Sequence, residues 1–512
     1  MKMYRFLLLS LMASLFAFNA NAQETYEDAN LLTPELNGTA RYVGMGGAMD
    51  ALGADVSTIG ANPAGIGLFR SNSVSVSAGF VSQPDGGDTK VSFDQIGMVF
   101  TNKISGGSSM VNFAFNYHKS RNFNQLLSAR GALNGASLNK QTYLKGIAGA
   151  LFDDHGNDYI TSSRLDELIA NSVLWEEAAG AYFYKDATNY LFDKTHKGYI
   201  GDYDFNISGN IKDRWYLGLT LGVHDLHYRS EGLYTEYLEP NALNMDQVDV
   251  YDRRKISGTG VDAKFGVIYR PIAGSPFRIG LSVTTPTFYD LKSESITSIK
   301  NDYINSYYDF KLYTPWKFGL SMGHTIGTKL ALGAVYEYAD YSRINNRIND
   351  IYGYDWYGDY YETSEADHDM NDHTKETLKG VSTLKLGLEY RPTPALSLRA
   401  GYNFQSALYD KDGAKGIYKN YDLVESYGIY TSSSADYTNW DSTNRFTLGA
   451  GYTAGKFAFD LAYQYTQTDG RFRPFLSLDY TDEGGNLYTN YVNAVDVTNK
   501  RHQLLATITY KF

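Results

Sequence analysis

The sequence predicts an all-β membrane protein: a transmembrane antiparallel up-and-down β-barrel of about 14 strands, with an N-terminal plug (hatch) inside the lumen. Three observations predict this fold. Apolar and polar residues alternate in segments of about ten residues along most of the chain. The connections between these segments are alternately short and long. The chain also begins with the features of an export signal.

The first residues have the order of charge and hydrophobicity that is typical of a secretory signal peptide. Lys2 and Arg5 supply positive charge, residues 6–18 form an apolar run, and residues 20–22 read Ala-Asn-Ala, a cleavage site. The run is too short for a transmembrane helix, which needs about 20 apolar residues. We therefore expect a cleaved signal peptide over residues 1–22.

The composition favours strands with aromatic residues at a membrane interface. The 512 residues include 45 Tyr and 49 Gly but 11 Pro. The chain has no Cys, which excludes disulfides, Cys-ligated zinc and Cys nucleophiles. A net charge of −11 and a pI near 5.4 argue against nucleic acid as a partner. We interpret the acidic stretch 362–376 as a solvated loop.

The segment 457–465 shows the alternation most clearly. Its odd positions are Phe457, Phe459, Leu461, Tyr463 and Tyr465, and its even positions are Ala458, Asp460, Ala462 and Gln464. In a soluble β-sandwich or propeller, the apolar face would be the core. Here nearly every strand has such a face, with aromatic residues at its ends, and a lipid-facing exterior accounts for both facts. The sequence shows no repeat of about 40 residues, so a propeller is not predicted.

The strand pattern divides the mature chain into a plug segment, residues 23–72, and a barrel, residues 73–512. Six long connections are predicted as external loops: 121–199, 231–254, 290–307, 343–379, 409–441 and 469–499. An even number of strands places both termini in the periplasm. The barrel must close, because an open edge in lipid would leave backbone amides unsatisfied.

The last residue, Phe512, ends an amphipathic strand and resembles the terminal signal that barrel-assembly machinery uses. With the export signal, this strand predicts a multi-pass barrel in a Gram-negative-type outer membrane. The expected partners are outer-membrane lipids and, during biogenesis, the barrel-assembly machinery.

The segment before the first strand is rich in small residues, which allow a compact segment to pack tightly inside another structure. It contains two candidate plug motifs. The first consists of Gly44, Gly46 and Gly47, and the second consists of Asn62, Pro63, Ala64 and Gly65. A nucleotide-binding loop is not expected, because no hydrophobic strand precedes the glycines and no Lys-Ser/Thr pair follows them.

The order of these motifs resembles the plug of the FadL long-chain fatty acid and toluene transporter family. That family has a Gly-rich run, a small-residue segment and an Asn-Pro-Ala motif before its first strand, matched here by residues 44–48, 51–61 and 62–64. The resemblance implies an outer-membrane barrel for passive uptake of hydrophobic small molecules, of the fatty acid or aromatic hydrocarbon type. External loops would catch the ligand, a pocket near the plug would hold it, and a gap in the wall would release it sideways.

The connection 121–199 contains a helix-like stretch from residue 165 to residue 175. Leu165, Leu168 and Ile169 share one apolar face of this helix and are the candidate residues of a ligand-capture loop. The alternative, which we favour, is that the helix covers the mouth of the barrel.

No other pattern indicates chemistry. No nucleophile elbow or other catalytic motif marks the Ser and His residues, so an enzyme is not expected. No cofactor or metal site is expected, and His368 and His373 are interpreted as parts of the solvated acidic loop. Two other functions stay open: a structural or secretion-associated barrel that holds partner proteins at the cell surface, and a general diffusion pore, which the plug argues against.

Overall fold

The computed structural model describes residues 24–84, 89–104, 108–147, 163–176, 180–240, 245–354, 360–416, 418–419, 422–423, 431–481 and 484–512. The predicted signal peptide, residues 1–22, lies outside the described residues. Within these ranges, no helix is both long enough and apolar enough to cross a membrane.

Fourteen antiparallel strands form the barrel, and four of them are broken into two pieces. They are β1 (Ser73–Ser82), β2 (Lys90–Lys103), β3 (Met110–Asn122 and Gln125–Ala132), β4 (Ala187–Ile211), β5 (Trp215–Leu238), β6 (Gln247–Tyr269), β7 (Arg278–Thr284 and Phe288–Ile299), β8 (Asp302–Tyr313 and Lys317–Ile326), β9 (Leu330–Asp340 and Asn345–Tyr354), β10 (Gly380–Tyr390), β11 (Leu396–Gln405), β12 (Tyr437–Ala454), β13 (Phe457–Arg473) and β14 (Val495–Lys511). The further strand Tyr360–Ala366 pairs with the second piece of β9.

Each strand pairs with its neighbours in the chain, and the first strand also pairs with the last. β1 lies between β2 and β14, with Ser73 opposite Lys511 and Ser82 opposite His502. Among the described residues, every strand of the barrel therefore has two partners, and the sheet closes on itself. The predicted closed barrel of 14 strands is confirmed.

The outer surface of the barrel is an apolar band. On β5 the outward positions are Trp215, Leu217, Leu221 and Val223, all 39–57 % exposed, followed by Asp225, His227 and Arg229. Such a band is about ten residues tall, the length that a tilted strand needs to cross the hydrocarbon core. The barrel therefore spans the outer membrane, and the band lies against lipid.

Several strands extend far above this band. β4, β5 and β6 have 25, 24 and 23 residues, about twice the number that a bilayer requires. Parts of the predicted loops 121–199, 231–254, 343–379, 409–441 and 469–499 are therefore strand. The loop predicted over 290–307 is wrong, because β7 and β8 continue as a hairpin that ends at Ile299 opposite Asp302. These ribbons face water outside the barrel, so their outward faces are mostly polar or charged, and the apolar alternation that identifies the membrane strands is interrupted there.

In the part of the chain that the structure describes, five helices lie inside the barrel and at its outer mouth. They are α1 (Thr25–Leu32), α2 (Ala40–Gly44), α3 (Leu138–Lys145), α4 (Arg164–Ile169) and α5 (His368–Thr377), joined by 3₁₀ turns at Val56–Gly60 and Pro63–Leu68 and a π turn at Ala170–Leu174. The prediction of a solvated loop for His368 and His373 is wrong in that both lie on α5, although the side chain of His368 is exposed. α5 packs against α1, and His373 is buried there with its Nδ1 3.0 Å from Thr25 Oγ1.

We expect a charge at the centre of the lipid-facing band to destabilise the barrel. Leu448 on β12 is 62 % exposed on the outward face. Leu448→Arg should lower the free energy of unfolding in lipid vesicles by about 2–4 kcal/mol, because hydrocarbon does not solvate the guanidinium group. The control Leu233→Arg, above the band on β5, should cost under about 1 kcal/mol. Denaturant titrations measure both, and equal costs would contradict this position of the band.

Candidate functional site

The N-terminal residues run through the lumen from the outer mouth to the periplasmic end. We call residues 24–72 the plug segment. At the outer mouth, Tyr26 on α1 donates from its hydroxyl to Asn439 Oδ1 at 2.7 Å and stacks on Tyr409. At the periplasmic end the segment leads directly into β1. Most of its residues are buried, so the inner wall surrounds it.

The glycines of the first predicted motif allow the plug segment to touch the wall. Gly46 and Gly47 have φ angles of +63° and +78°, which other residues rarely adopt. A Cβ atom on Gly46 would lie 2.9 Å from the Tyr402 nitrogen of β11, and one on Gly44 would lie 3.3 Å from Gly449 Cα of β12. The chain therefore turns at these glycines directly against the backbone of the wall.

The second motif forms a capped turn at the periplasmic end. Asn62 accepts at Oδ1 from the Ala64 nitrogen at 3.1 Å, and its Nδ2 donates to the carbonyl oxygen of Leu281 on β7 at 3.3 Å. Pro63 begins the 3₁₀ turn, where a backbone N–H is not needed. A Cβ atom on Gly65 would lie 2.5 Å from Thr58 Oγ1. The motif thus caps its own turn and binds it to the wall.

A matching row of glycines lines the wall, and none of these glycines belongs to a predicted motif. Eight consecutive strands, β5 to β12, each contribute one: Gly218, Gly266, Gly280, Gly323, Gly333, Gly387, Gly401 and Gly449. A Cβ atom on any of them would lie 1.9–3.2 Å from an atom of the plug segment, with Gly333 against Ala48 O at 1.9 Å as the closest case. We call these eight glycines the glycine seat. One inward-facing glycine on each strand is the sequence signal that could have revealed it.

Buried ion pairs fasten the plug segment to the same part of the wall. Arg41 Nε lies 3.0 Å from Glu389 Oε2, which also lies 2.7 Å from Arg399 Nε. Arg399 continues to Asp460 Oδ1 at 2.6 Å. Because these carboxylates and guanidinium groups satisfy one another, the plug segment can carry charge inside the lumen.

A cavity of about 250 Å³ lies between residues 31–37 of the plug segment and the inner wall. Part of its lining is apolar, from Leu31, Leu36, Ile200 and Val381, and part is charged, from His118, Asp202, His224, Asp262, Lys264, Arg121 and Arg445. The cavity can therefore accept a molecule that has both an apolar and a polar part. Among the described residues, no group of three or more His, Asp or Glu side chains is placed to hold a metal ion.

The charged wall of this cavity on β4–β6 is a paired network. The His224 ring contacts a carboxylate at each nitrogen: Nδ1 lies 2.8 Å from Asp202 Oδ1, and Nε2 lies 3.0 Å from Asp262 Oδ2. Lys264 Nζ lies 2.7 Å from Asp204 Oδ1. Since cations and anions alternate in this network, it presents hydrogen-bonding groups without a large excess of either charge.

A second cavity of about 110 Å³ adjoins the first and shares Glu35, Arg121 and Arg445 with it. Arg501 and the amides of Gln464 and Gln503 complete its polar lining. Here the Arg501 guanidinium pairs with the Glu35 carboxylate of the plug segment, while Arg445 and Arg121 donate to the carbonyl oxygens of residues 34 and 33. Sequence analysis did not identify these residues, because they lie far apart in the chain.

The residues predicted to capture a ligand lie in a cap over the outer mouth, formed by α3, α4 and the π turn. Leu165, Leu168 and Ile169 are 3 %, 3 % and 1 % exposed and pack in an apolar cluster with residues such as Phe192 and Tyr234. Of the three, Leu165 borders small cavities of about 60 and 20 Å³. A capture role stays a prediction that requires the cap to open.

Asp166 joins the helices of the cap. Its carboxylate accepts hydrogen bonds from Ser163 at the start of α4, from Thr142 Oγ1 at 2.7 Å and from Lys145 Nζ at 2.7 Å. Burial by itself would raise the pKa of Asp166, but Lys145 and the hydrogen bonds outweigh it and lower the pKa below its ordinary value. The cap is therefore stabilised by an ionised, buried carboxylate.

No family sequence profile and no curated protein sequence matches this chain. Solved structures do match. The barrel is similar to a FadL homologue of Pseudomonas aeruginosa, with a TM-score of 0.51, 12 % identity, and 94 % of this chain and 99 % of that chain covered. It is also similar to the toluene transporter TbuX of Ralstonia pickettii, with a TM-score of 0.48, 12 % identity, and 93 % and 98 % covered. At this identity the first likeness shows the fold alone, a closed barrel like that of the FadL homologue.

We expect the glycine seat to be sensitive to a single methyl group. In Gly333→Ala the new Cβ would clash with the backbone oxygen of Ala48, which cannot rotate away, and the strain should cost about 1–3 kcal/mol. Displacement of the plug segment should raise ion conductance in planar bilayers. Gly209→Ala on β4, where the space is open, is the control and should keep the native conductance. Equal conductance in the two variants would contradict the seat.

The cap should weaken in acid because of Asp166. The folded pKa lies below the unfolded value of about 3.9, so ionised Asp166 stabilises the cap above about pH 4, and this contribution is lost as the pH falls through the folded pKa. Asp166→Asn should lower the protection of residues 138–145 from hydrogen exchange at neutral pH by about 3 kcal/mol, with no further loss in acid from this group. Glu167→Gln, which changes an exposed carboxylate on the same helix, should have little effect. Identical exchange in the two variants would contradict the role of Asp166.

Proposed function

We propose that this barrel is an outer-membrane transporter for passive uptake of hydrophobic small molecules, which leave sideways through the wall into the bilayer. The substrate class is the one that the sequence motifs imply, a long-chain fatty acid or an aromatic hydrocarbon. The observation that carries the proposal is an interruption of three neighbouring strands beside the main cavity.

β7, β8 and β9 are interrupted at one level of the wall, at residues 285–287, 314–316 and 341–344. The first two interruptions read Thr-Pro-Thr and Thr-Pro-Trp. The pairing of β7 with β8 keeps the same register on both sides of them, so the two proline segments face each other. We call these two segments the wall break.

Few backbone hydrogen bonds cross the wall break. Pro286 and Pro315 have no N–H to donate. The Thr314 nitrogen donates to Thr287 O at 3.1 Å, whereas the Thr287 nitrogen donates to the hydroxyl Oγ1 of Thr314 at 2.7 Å rather than to a carbonyl. Separation of the strands here would expose fewer unsatisfied groups than separation of a regular ladder.

The wall break lies between the main cavity and lipid. Thr285, Thr287 and Thr314 line the cavity, while Trp316 is 50 % exposed on the outside. Just above the wall break, the outward face of β7 becomes charged, beginning at Asp290. The wall break is therefore at the outer edge of the apolar band, where a departing solute would enter the outer leaflet.

Transport by this route would need no energy source. An apolar solute gains about 25 cal/mol for each Å² removed from water, so entry into the cavity and then into hydrocarbon is downhill. The plug segment fills the lumen below the cavity, which favours a sideways path over a path along the barrel axis.

A second candidate function, a barrel that holds partner proteins at the cell surface, is favoured by apolar side chains above the band. Leu233 and Tyr251 are opposite each other on β5 and β6 and are 44 % and 40 % exposed, and Tyr303 on β8 is 65 % exposed. Exposed apolar residues outside lipid are typical of protein contacts. A barrel with this function would not require the wall break to move.

A disulfide across the wall break should stop uptake. The chain has no Cys, so Thr287→Cys with Thr314→Cys creates a single defined pair, between residues that already hydrogen-bond across the strands. Cells with the oxidised variant in the outer membrane should take up a radiolabelled fatty acid as slowly as cells without the barrel. Reduction by dithiothreitol should restore uptake.

The matched control is Thr443→Cys with Thr468→Cys, which joins β12 to β13 where the two Oγ1 atoms lie 2.8 Å apart. It should leave uptake unchanged in both redox states. Full uptake through the oxidised 287–314 variant would overturn the sideways route. No uptake by the native barrel would overturn transport itself and favour the partner-holding function.

A further inference from the structure

The short connections at the periplasmic end of the barrel carry a charge opposite to that of the whole chain. The protein has 57 acidic side chains and 46 Lys or Arg, whereas the connections 103–109, 212–214, 270–277, 327–329, 391–395 and 455–456 contain seven Lys or Arg and one Asp. Each connection contributes at least one of these cations. We call the following six, one from each connection, the cationic rim: Lys103, Arg214, Arg270, Lys329, Arg391 and Lys456.

We propose that the cationic rim binds the phosphate groups of anionic phospholipids in the periplasmic leaflet of the outer membrane. The expected ligand is a phospholipid with a net negative charge, in which no amine of the headgroup compensates the phosphate. This inference concerns the outside of the barrel at its lower end and does not depend on what the barrel transports.

Most members of the cationic rim have no carboxylate partner within the protein. Asp213, the one acidic residue of these connections, pairs with Arg70 just before β1. Arg391 pairs with Glu389, at 2.8 Å between Nη2 and Oε1. Among the described residues, no carboxylate lies within ion-pair distance of the other five members. The rim therefore presents positive charge that the chain does not compensate, and this charge favours an anionic partner.

Outward-facing cations at the other end of the barrel are paired within the chain. On the outer ribbons, Lys255 Nζ lies 3.5 Å from Glu294 Oε1, and Lys292 Nζ lies 3.7 Å from Asp309 Oδ2. Cross-strand pairs of this kind balance the charge of a water-facing sheet. The periplasmic end has no such balance, which indicates that the partner of the rim lies outside the chain.

The cationic rim lies at the level where hydrocarbon gives way to headgroups. Three of its members are next in sequence to aromatic residues that are 42–46 % exposed on the outside of the barrel, namely Trp215 after Arg214, Tyr390 before Arg391, and Phe457 after Lys456. Aromatic side chains favour the membrane interface, and the long side chains of Lys and Arg beside them extend to the headgroups. Phosphate groups are the anions at this level of a bilayer.

Two members of the rim lie beside rings on the outside of the wall. The Arg214 guanidinium lies 5.7 Å from the centre of the Tyr269 ring, and its Nη2 donates to the Tyr269 hydroxyl at 3.1 Å. Lys456 Nζ lies 6.0 Å from the centre of the Tyr510 ring. Both tyrosines occupy outward-facing positions, on β6 and β14. The rings therefore keep these two cations on the lipid side of the wall.

The distribution of the rim favours a lipid leaflet over a protein partner. Its six members come from connections that follow one another around the whole circumference of the barrel. A bound protein would cover one side of the barrel, whereas lipid headgroups surround it. The attraction of Lys and Arg to anionic lipids adds up over the residues near the surface, so the rim can select anionic lipids.

Two tryptophans allow the lipids at the two ends of the apolar band to be compared. Among the described residues, Trp215 and Trp316 face lipid, Trp215 beside the rim and Trp316 at the outer edge of the band. The variants Trp316→Phe and Trp215→Phe each keep one of these two reporters. Phospholipids that are brominated on their acyl chains quench a nearby tryptophan. Quenching of the full barrel in mixed vesicles therefore measures which lipid is enriched at each end.

We expect phosphatidylglycerol to be enriched over phosphatidylcholine about fivefold at Trp215, the effect of about one interfacial cation, and not to be enriched at Trp316. Lys212→Gln with Arg214→Gln should abolish the enrichment at Trp215. Sodium chloride at about 1 M should also abolish it, because salt screens exposed charges. The matched control is Lys292→Gln, which removes an outward-facing cation from an outer ribbon and should leave the enrichment unchanged.

Equal quenching by the two lipids at Trp215 would overturn the lipid site and leave an acidic periplasmic protein as the partner that the rim fits. Enrichment that survives the double substitution, or that is equal at Trp215 and Trp316, would show that the rim is not its cause. Inorganic phosphate that abolishes the enrichment, at an ionic strength where chloride does not, would replace the phospholipid by a free anion. The proposed transport function would stand in each case.

Discussion

The pairing of every backbone amide within lipid is the constraint on which the rest of this structure depends. It requires β1 to meet β14 and so closes a wall of 14 strands. A closed wall of this size encloses a lumen, and the plug segment fills its lower part. The backbone of the plug segment can touch the backbone of the wall only where no side chain lies between them. The glycines on β5 to β12 provide such positions where Ala48, Pro63 and Gly46 approach them.

The same constraint decides the character of the contacts in the lumen. Strands that are apolar towards lipid have polar side chains on the opposite face, so the plug segment must bind to polar and charged groups. The plug segment has apolar contacts with the wall, such as those of Val56, Ile59 and Ile66 with Val99 and Ala114, but it also depends on ion pairs such as Arg41 with Glu389. Such contacts can exchange for water or for another charged group with less loss than apolar packing, because each partner can be solvated again. The interior of this barrel is thus suited to local rearrangement while its wall stays closed.

The parts of the fold that the sequence predicts are those in which one strand interacts with lipid, a uniform partner. The alternation at Phe457 to Tyr465 needs no knowledge of any other strand. The parts that it did not predict depend on distant partners. One face of α5 is buried because α1 lies against it, and Glu35 pairs with a residue 466 positions away. The position of the Asn62 motif was predicted, but its contact with Leu281 follows from closure of the barrel and from no local pattern.

In the proposed route, the wall break reconciles a closed wall with the passage of a solute. Two prolines that face each other remove donors from neighbouring strands, which a wall in lipid would ordinarily exclude. Threonine hydroxyls substitute for part of the lost ladder, and Thr287 Oγ1 also lies 3.3 Å from Asp262 Oδ2 of the charged network. Because the wall break lies at the outer edge of the band, headgroups and water can satisfy amides that open there, whereas hydrocarbon could not. A gap is therefore least costly at this level of the wall, beside the cavity that it would empty.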